Sequence, residues 1–251
     1  MLLLSTSSFK WYWLHKIFKL ASSSWFDWLN LDLSSWDYDA EDVEYVKSLS
    51  DEFKFPVLSI TAYERKMDSK TVDDLIEKAR ILWAGIINFY PPFRQDKDTI
   101  WFSEYLSKAQ ENNKDIFLTV INVEPKTFLF FIPEYKDATL STIKKMTWFS
   151  SLNVSNVDPS TWVDLLKSFS ILWNSIRNVY LSDKTWLKTE LLLWKGDMPL
   201  RDLLWKLKDS NYNYHFTLKV SPKELWVWHD ETVLQRISDQ KTYFDKHFTK
   251  A

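Results

Sequence analysis

The sequence of 251 residues has no cysteine, almost no glycine and no long apolar run. The absence of cysteine excludes disulfide bonds, thiolate metal sites and a cysteine nucleophile. The charges nearly cancel, with 32 Lys+Arg against 34 Asp+Glu, so no positive field favours a nucleic-acid partner. The apolar start from Met1 to Leu4 is too short for a signal peptide or a membrane span. We therefore expect a cytoplasmic protein without a membrane partner, and the sequence does not indicate an oligomeric state.

Glycine is scarce while tryptophan is abundant. The chain has 2 glycines and 15 tryptophans, whereas a soluble chain of this length usually carries about 18 glycines. The two counts together come close to that ordinary glycine complement. The composition therefore predicts that most of the tryptophans occupy positions that suit glycine.

The local sequence around the tryptophans supports this interpretation. Four fall where a helical stripe stops and a strand is about to begin: Trp25, Trp83, Trp148 and Trp173. At that position the chain usually turns left-handed, and a residue with a Cβ loses about 1–2 kcal/mol there. Five more lie in loops among polar residues: Trp36, Trp186, Trp194, Trp226 and Trp228. Two lie inside predicted helices, and we interpret these as genuine tryptophans: Trp101 and Trp205.

Two explanations account for this composition. In the first, the tryptophans form an aromatic carbohydrate-binding surface, with Trp25, Trp28, Trp226 and Trp228 on one exposed plane. In the second, the codon UGA, which specifies glycine in one genetic code and tryptophan in another, has been translated as tryptophan. We favour the second explanation, because a tryptophan-rich surface or membrane-interface belt leaves glycine usage normal. UGG at all of these codons would exclude it.

Short apolar runs alternate with helical periods along the whole chain. The predicted strands are Leu2–Ser5, Leu29–Leu33, Val57–Thr61, Ile86–Tyr90, Ile116–Val123, Ser151–Val154, Arg177–Leu181 and Phe216–Val220. The predicted helices are Leu14–Ser22, Ala40–Phe53, Ser69–Leu82, Thr99–Asn112, Thr139–Lys145, Ser160–Leu172, Leu200–Lys208 and Glu231–Phe244. Ser69 and Asp98 are the expected N-caps of two of these helices.

Eight strand–helix units in a chain of this size predict an α/β fold, a single (β/α)8 TIM barrel over residues 1–251. A doubly wound open sheet is the alternative, because periodicity does not show whether a sheet closes.

Several motifs follow one another with the spacing of barrel strands. They are STSSF, FPVLSITAY, INVEP, YLSDKTW, LLLWKGDMPL and LKVSP, read with glycine in place of tryptophan. Their ordered succession resembles the xylose isomerase-like TIM-barrel superfamily, which includes sugar isomerases and epimerases, AP endonuclease family 2 and other endonuclease IV-like enzymes. The resemblance covers nearly the whole chain. It implies an active site at the C-terminal mouth of the barrel, a divalent metal held by carboxylates and histidine, and a sugar or sugar phosphate as the substrate.

The residues at the family's ligand positions mostly differ from the expected ones. Glu124 in INVEP best matches the glutamate after strand five. Asn153 and Asn156 stand where the resemblance expects an aspartate and a histidine after strand six. After strand seven Asp183 is retained, whereas Tyr180 replaces a histidine.

The last two ligand positions change as well. Glu190 replaces a histidine before the Gly-x-Gly loop, and Lys219 replaces the glutamate of strand eight. Asparagine binds divalent cations weakly through one neutral oxygen, and an ammonium repels a metal ion. The resemblance therefore implies a lost metal site, so we expect no cofactor. An endonuclease, which needs a metal cluster rich in histidine and a basic face, is the least favoured member of the group.

Three residues are the candidate catalytic groups. Lys219 is expected to replace the metal as the electrophile, with Glu124 or Asp183 as the general base. The alternative is a buried Lys219–Glu124 ion pair that only stabilises the mouth. The candidate substrate-binding residues are Glu64, Asn88, Tyr90, Asn153, Asn156, Tyr180, Glu190 and Lys195.

Simpler alternatives stand beside several of these predictions. Tyr90 precedes two prolines, which by themselves stiffen the loop after strand four, and Lys195 lies in what is otherwise a solvated turn. The segment 126–137 is long and aromatic, which predicts a lid, an oligomer contact or simple packing against the barrel. For the whole chain, the alternative to a sugar isomerase or epimerase is a non-catalytic binding or scaffold protein on the same fold.

Overall fold

The computed structural model describes residues 1–24, 26–34, 38–64, 67–94, 99–124, 127–128, 132–135, 138–157 and 162–249. Its strands are β1 (Leu2–Ser5), β2 (Trp28–Asp32), β3 (Val57–Thr61), β4 (Ile86–Phe89), β5 (Phe117–Ile121), β6 (Thr127–Phe128), β7 (Ile132–Pro133), β8 (Phe149–Asn153), β9 (Ile176–Leu181) and β10 (His215–Leu218). Its α-helices are α1 (Leu14–Ser22), α2 (Val43–Phe53), α3 (Ser69–Leu82), α4 (Thr99–Asn112), α5 (Leu140–Met146), α6 (Trp162–Leu172), α7 (Leu200–Asp209), α8 (Pro222–Leu225) and α9 (Asp230–Phe244).

The main sheet closes into a barrel of parallel strands. Its strand order is β1-β10-β9-β8-β5-β4-β3-β2, and β1 pairs with both β10 and β2. The predicted (β/α)8 barrel is therefore confirmed, and the open doubly wound alternative is wrong. The strands all run from one end, called the bottom here, to the C-terminal end, called the mouth. None of the described helices is both long enough and apolar enough to cross a bilayer.

The apolar core lies between the sheet and the helices, as α3 illustrates. Its buried residues at the spacing of one helix face are Val72, Leu75, Ile76 and Ala79. Each fully buried aliphatic side chain of this kind contributes about 1.5–3 kcal/mol. The carboxylate of Asp68 caps α3 by accepting the N–H of Thr71 at 2.8 Å, so the predicted cap at Ser69 is wrong by one residue. The predicted cap at Asp98 lies outside the described residues.

The interior of the barrel, inside the sheet, is polar. Asn88 of β4 lies in this region and is fully buried. Its amide nitrogen donates to Ser59 Oγ at 2.8 Å, and its side-chain oxygen accepts from Ser151 at 2.6 Å and from Thr119 at 3.1 Å. Because a buried polar group is costly unless it is hydrogen-bonded, these contacts tie four strands together. Asn88, a predicted substrate-binding residue, is thus engaged in the interior network.

Three tryptophans have left-handed backbone conformations. Their φ values are 88° at Trp11, 61° at Trp83 and 61° at Trp226. Trp83 ends α3 as predicted, and the following residue, Ala84, donates its N–H to the carbonyl of Ala79 at 2.8 Å. This bond pattern is that of a Schellman cap, where glycine is usual because it has no Cβ. Trp226 ends α8 in the same conformation.

Some of the predictions for other tryptophans are wrong. Trp148 and Trp173 follow helices as predicted, but their backbone is not left-handed. Trp101 and Trp205 lie inside α4 and α7, as predicted. The tryptophans outside the described residues are Trp25 and Trp36.

Solvent exposure separates the tryptophans from ordinary core aromatics. Nine of them are exposed: Trp11, Trp13, Trp83, Trp148, Trp186, Trp194, Trp205, Trp226 and Trp228. Among the tryptophans whose side chains the structure describes, none is buried. Trp28 begins β2 at the bottom of the barrel, whereas Trp228 follows β10 at the mouth. The predicted single plane of carbohydrate-binding tryptophans is therefore wrong.

Candidate active site

A buried ion pair joins two strands at the barrel mouth. Asp32, the last residue of β2, is fully buried, and the side chain of Lys219, just after β10, is 12% exposed. The Lys219 ammonium lies 3.0 Å from Asp32 Oδ2. The two residues meet because β2 and β10 both pair with β1. The predicted Lys219–Glu124 pair is therefore wrong, since Lys219 bonds to Asp32 instead.

The pKa values show which form each partner takes. Burial by itself would lower the pKa of Lys219, but the nearby charges, Asp32 first, outweigh burial and raise the pKa well above its usual value. Burial would raise the pKa of Asp32, yet Lys219 and the hydrogen bonds from Ser34 bring it below the usual value. At neutral pH the pair is an ammonium and a carboxylate. Lys219 is therefore a charged hydrogen-bond donor rather than a neutral amine.

Two tyrosines complete the surroundings of the Lys219 ammonium. The hydroxyl of Tyr90 lies 3.5 Å from Lys219 Nζ, and the ring centre of Tyr180 lies 5.9 Å from it. The Tyr180 hydroxyl shares a hydrogen bond of 2.6 Å with Thr61 Oγ1, which fixes the ring below the mouth. Burial raises the pKa of both Tyr90 and Tyr180, so both phenols keep their protons at neutral pH.

A second ion pair lies at the same end of the barrel. Lys184 follows β9 and Glu124 follows β5, and the distance from Lys184 Nζ to Glu124 Oε1 is 2.8 Å. The Lys184 side chain is 5% exposed, whereas the Glu124 side chain is 34% exposed. The carboxylate of Glu124 is therefore accessible to a ligand while its partner is enclosed. Sequence reasoning identified Glu124 and missed Lys184.

The Asp183 side chain holds the loop between β9 and α7 in place. Its carboxylate accepts the backbone N–H groups of Lys184 at 2.8 Å, Gly196 at 2.9 Å and Met198 at 3.1 Å. Burial raises the pKa of Asp183, against these bonds, which lower it. A Cβ at position 196 would collide with Asp183 Oδ1 and with the Lys184 backbone, so this turn requires glycine. The three backbone bonds thus engage the Asp183 carboxylate in holding this loop.

The side chains at the family's ligand positions do not fit a divalent cation. Asn153 accepts the N–H of Ser155 at 3.1 Å, and Asn156 donates to the carbonyl of Asn122 at 2.8 Å, so both amides shape the turn after β8. The Lys219 ammonium adds a positive charge at the mouth. Within the part of the chain that the structure describes, no three residues among His, Asp and Glu are grouped as metal ligands.

The other predicted site residues lie around the edge of the mouth. Lys195 forms an ion pair with Glu224 at 2.9 Å. Glu190 has a left-handed φ of 55°, and its carbonyl accepts the N–H of Ser221 at 2.7 Å. The exposed Glu64 accepts a hydrogen bond of 3.0 Å from the Tyr135 hydroxyl.

The segment 126–137, of which 127–128 and 132–135 are described, contacts the loops after β3 and β4. The rings of Tyr135 and Phe93 stack with their centres 4.5 Å apart, and both side chains are buried. The described part of the segment thus packs against the barrel, which was the simplest of the three predictions for it.

Sequence reasoning missed Asp32, the partner of Lys219. A signal for it was present, because Asp32 is the single charged residue of the apolar run LNLDL in a predicted strand. A charge in a buried strand normally requires a partner or a function. Its partner is 187 residues away along the chain, and only the closed barrel brings the two together.

Comparisons with known proteins add the fold relationship. No protein-family model and no curated protein sequence matches the chain. A D-allulose 3-epimerase from Methylomonas sp. matches 98% of this chain and 96% of its own, with 11% identity and a TM-score of 0.70. A xylose isomerase domain protein from Alicyclobacillus acidocaldarius matches 99% of both chains, with 12% identity and a TM-score of 0.70. An AP endonuclease of family 2 from Brucella melitensis matches 88% of this chain and 93% of its own, with 12% identity and a TM-score of 0.69. This chain therefore shares the (β/α)8 TIM-barrel fold of these proteins.

Proposed function

We propose that this chain binds a sugar or a sugar phosphate at the barrel mouth and acts on it as an isomerase or an epimerase. The observation that carries the proposal is the Lys219 ammonium, held 3.0 Å from Asp32 where the resemblance expects a metal-binding glutamate. A fixed cation there takes over the charge stabilisation that a metal ion supplies. The D-allulose 3-epimerase among the similar structures supports this reaction class. In this proposal the reaction uses no divalent metal.

The proposed reaction moves a proton next to a carbonyl group. The Glu124 carboxylate takes the proton from the carbon beside the carbonyl, and the C–H electron pair forms a C=C bond. The carbonyl electron pair moves onto the oxygen, where Lys219 stabilises the negative charge that develops. Delivery of a proton from water to the opposite face, with release of the Glu124 proton to water, gives the epimer. Return of the Glu124 proton to the former carbonyl carbon, with a proton shift between the oxygens, gives the isomer.

Deuterium exchange tests this function. In D2O the wild-type chain is expected to introduce deuterium beside the carbonyl of at least one compound in a panel of ketoses, aldoses and their phosphates, measured by NMR. Glu124→Gln, and separately the double variant Lys219→Met/Asp32→Asn, are each expected to lower the exchange at least about 100-fold. The double variant removes both charges, so that neither remains buried without its partner.

Two controls accompany this experiment. Lys70→Met changes an exposed lysine on α3 and is expected to leave the exchange rate unchanged. A chelator is also expected to have no effect. Exchange that stops with the chelator and returns with a divalent metal would contradict the metal-free mechanism.

A non-catalytic sugar-binding protein is the second candidate. One observation favours it: both lysines of the mouth are paired with carboxylates, as in a cluster that only stabilises the fold. Saturable binding of a sugar phosphate in calorimetry, with no deuterium exchange on any compound of the panel, would distinguish it from the enzyme. A DNA endonuclease is disfavoured, because a net charge of −2 provides no overall attraction for phosphates.

We also propose that the left-handed tryptophans stand for glycine in the gene. Trp11, Trp83 and Trp226 have φ values that favour glycine, and all three side chains are exposed. An exposed indole at such a position has an unfavourable backbone conformation, and it buries too little surface to compensate for this. The nucleotide sequence is the test: UGA is expected at these codons, and UGG at all of them would reject the proposal.

A further inference from the structure

The Lys219 cluster contains two side chains that are not fully buried, Lys219 itself and Tyr90. Asp32 is fully buried, whereas the Lys219 side chain retains 12% exposure and Tyr90 is half-buried. The Tyr90 hydroxyl lies 3.5 Å from the ammonium, close enough for a ligand oxygen to contact both groups. The ammonium can only donate, and because it already donates to the Tyr90 oxygen, the phenolic proton of Tyr90 is what that hydroxyl can offer to an acceptor oxygen of a ligand.

Asp32 is not available to a ligand. Its Oδ2 accepts from Lys219 at 3.0 Å, and its Oδ1 accepts the backbone N–H of Ser34 at 3.0 Å. With no exposed surface and both oxygens bonded, the carboxylate keeps Lys219 charged and fixes the direction of its ammonium. Asp32 is thus a positioning residue.

Tyr90 is fixed by its place in the fold. It follows β4 directly, and Pro91 and Pro92 restrict the backbone after it. Its ring stands beside the ammonium on which the proposed function depends. Stiffening of the loop accounts for the two prolines but does not require a phenol hydroxyl at this distance from Lys219.

We infer that Tyr90 is a catalytic proton donor, acting with Lys219 on the carbonyl oxygen of an α-hydroxy carbonyl substrate; this inference rests on the proposed function. As Glu124 removes the C–H proton, the carbonyl oxygen takes the phenolic proton of Tyr90. The products of this step are an enediol, a protonated Glu124 and a Tyr90 phenolate beside the Lys219 ammonium. When the enediol collapses to the epimer, its O–H proton returns to Tyr90, a proton from water adds to the opposite face of the carbon, and Glu124 releases its proton to water.

The variant Tyr90→Phe tests this role, because it keeps the ring and removes only the hydroxyl. On the sugar that the wild type exchanges fastest, deuterium exchange is expected to fall at least about 100-fold. Sugar affinity, measured by calorimetry, is expected to change by less than about tenfold. The alkaline decrease of the exchange rate, which reports ionisation of the donor, is expected to disappear. Tyr105→Phe, a change on the outer helix α4, is the matched control and is expected to match the wild type.

The outcomes separate the two proposals. The first outcome is that Tyr90→Phe exchanges deuterium within a few-fold of the wild-type rate and keeps the alkaline decrease. This would overturn the role of Tyr90 and leave the proposed function intact. A wild-type chain that exchanges none of the sugars would overturn both. A loss of exchange in Tyr90→Phe that is matched by an equal loss of sugar affinity would assign Tyr90 to substrate binding and overturn its role as proton donor.

Discussion

The two ends of the barrel each hold a partly buried cation, and they hold it in different ways. At the bottom, the Arg177 guanidinium lies 4.3 Å from the ring centres of Phe149 and Tyr214 and 5.2 Å from that of Phe117. At the mouth, the Lys219 ammonium is held by the carboxylate of Asp32. Aromatic faces stabilise a cation without adding a charge. A carboxylate fixes both the charge and the direction of the donor, which is the arrangement that chemistry at a carbonyl requires.

This difference agrees with the general division of labour in such barrels, in which the C-terminal end carries the active site and the N-terminal end carries stability. Variants at the bottom are therefore expected to change stability alone, whereas variants at the mouth are expected to change function as well. Four predictions test that difference, from the largest expected effect to the smallest.

The largest effect is expected at the mouth. Lys219→Met is expected to lower the free energy of unfolding at neutral pH by about 3–5 kcal/mol, because it leaves the buried Asp32 carboxylate without its ammonium. The loss should shrink as the pH falls and Asp32 takes up a proton. Urea denaturation at several pH values measures it. Addition of Asp32→Asn should recover part of the loss, and a double variant no more stable than Lys219→Met would contradict this account.

The second effect concerns pH and the bottom of the barrel. Burial, with a smaller contribution from the N-terminal ammonium, lowers the pKa of His215 to about 4, so the folded state keeps this histidine neutral. Below pH 6.5 His215 binds a proton in the unfolded chain but stays neutral in the folded chain. As the pH falls from about 6.5 to about 4, the free energy of unfolding should therefore decrease by up to about 3 kcal/mol.

The variant His215→Gln checks this prediction. Its stability should fall less steeply over that pH range than that of the wild type, as followed by denaturation at pH 7, 5.5 and 4.5. His15→Gln, which changes an exposed histidine, should keep the wild-type slope. Equal slopes for His215→Gln and the wild type would show that other groups govern the acid sensitivity.

The third effect tests whether the Arg177 cluster serves stability alone. Arg177→Met keeps most of the packing volume and removes the charge from the three rings, so it should lower the free energy of unfolding by about 2 kcal/mol. Deuterium exchange at the mouth should remain at the wild-type rate in the folded fraction. If Arg177→Met had normal stability and impaired exchange, the Arg177 cluster would not serve stability alone.

The smallest effect concerns left-handed turns. Trp83→Gly, in the cap of α3 at the bottom, should raise the free energy of unfolding by about 1 kcal/mol because glycine removes the Cβ clash. Trp226→Gly at the mouth should raise it less, since the Trp226 ring also contacts the Arg236 guanidinium at 5.3 Å. The matched control is Trp205→Gly inside α7, which should lower stability by about 0.5 kcal/mol. A decrease for Trp83→Gly would argue for a genuine tryptophan.

The helices and strands were predictable because the sequence patterns that specify them are local. The bounds of α1, α3 and α4 agree with the prediction to the residue, since apolar residues recur at helical spacing and stop where the helix stops. Closure of the barrel followed from the number of units. The β6–β7 hairpin was missed because its strands are only two residues long and carry no alternating pattern.

The site was less predictable, because it depends on contacts between distant strands. Lys219 and Glu124 were both identified, yet each was given the wrong partner. Pairing with Asp32 or Lys184 is decided by which strands are adjacent at the mouth and by which side chains reach far enough, and a single sequence contains neither. The role of Asp183 likewise depends on three backbone N–H groups that are brought together by a turn.

The hydrogen bonds around Asn88 have a consequence for how this chain can diverge. They tie four strands from within the barrel, using side chains that the outer helices never touch. Substitutions on the outside of the sheet can therefore accumulate while the inner ties keep the strands in register.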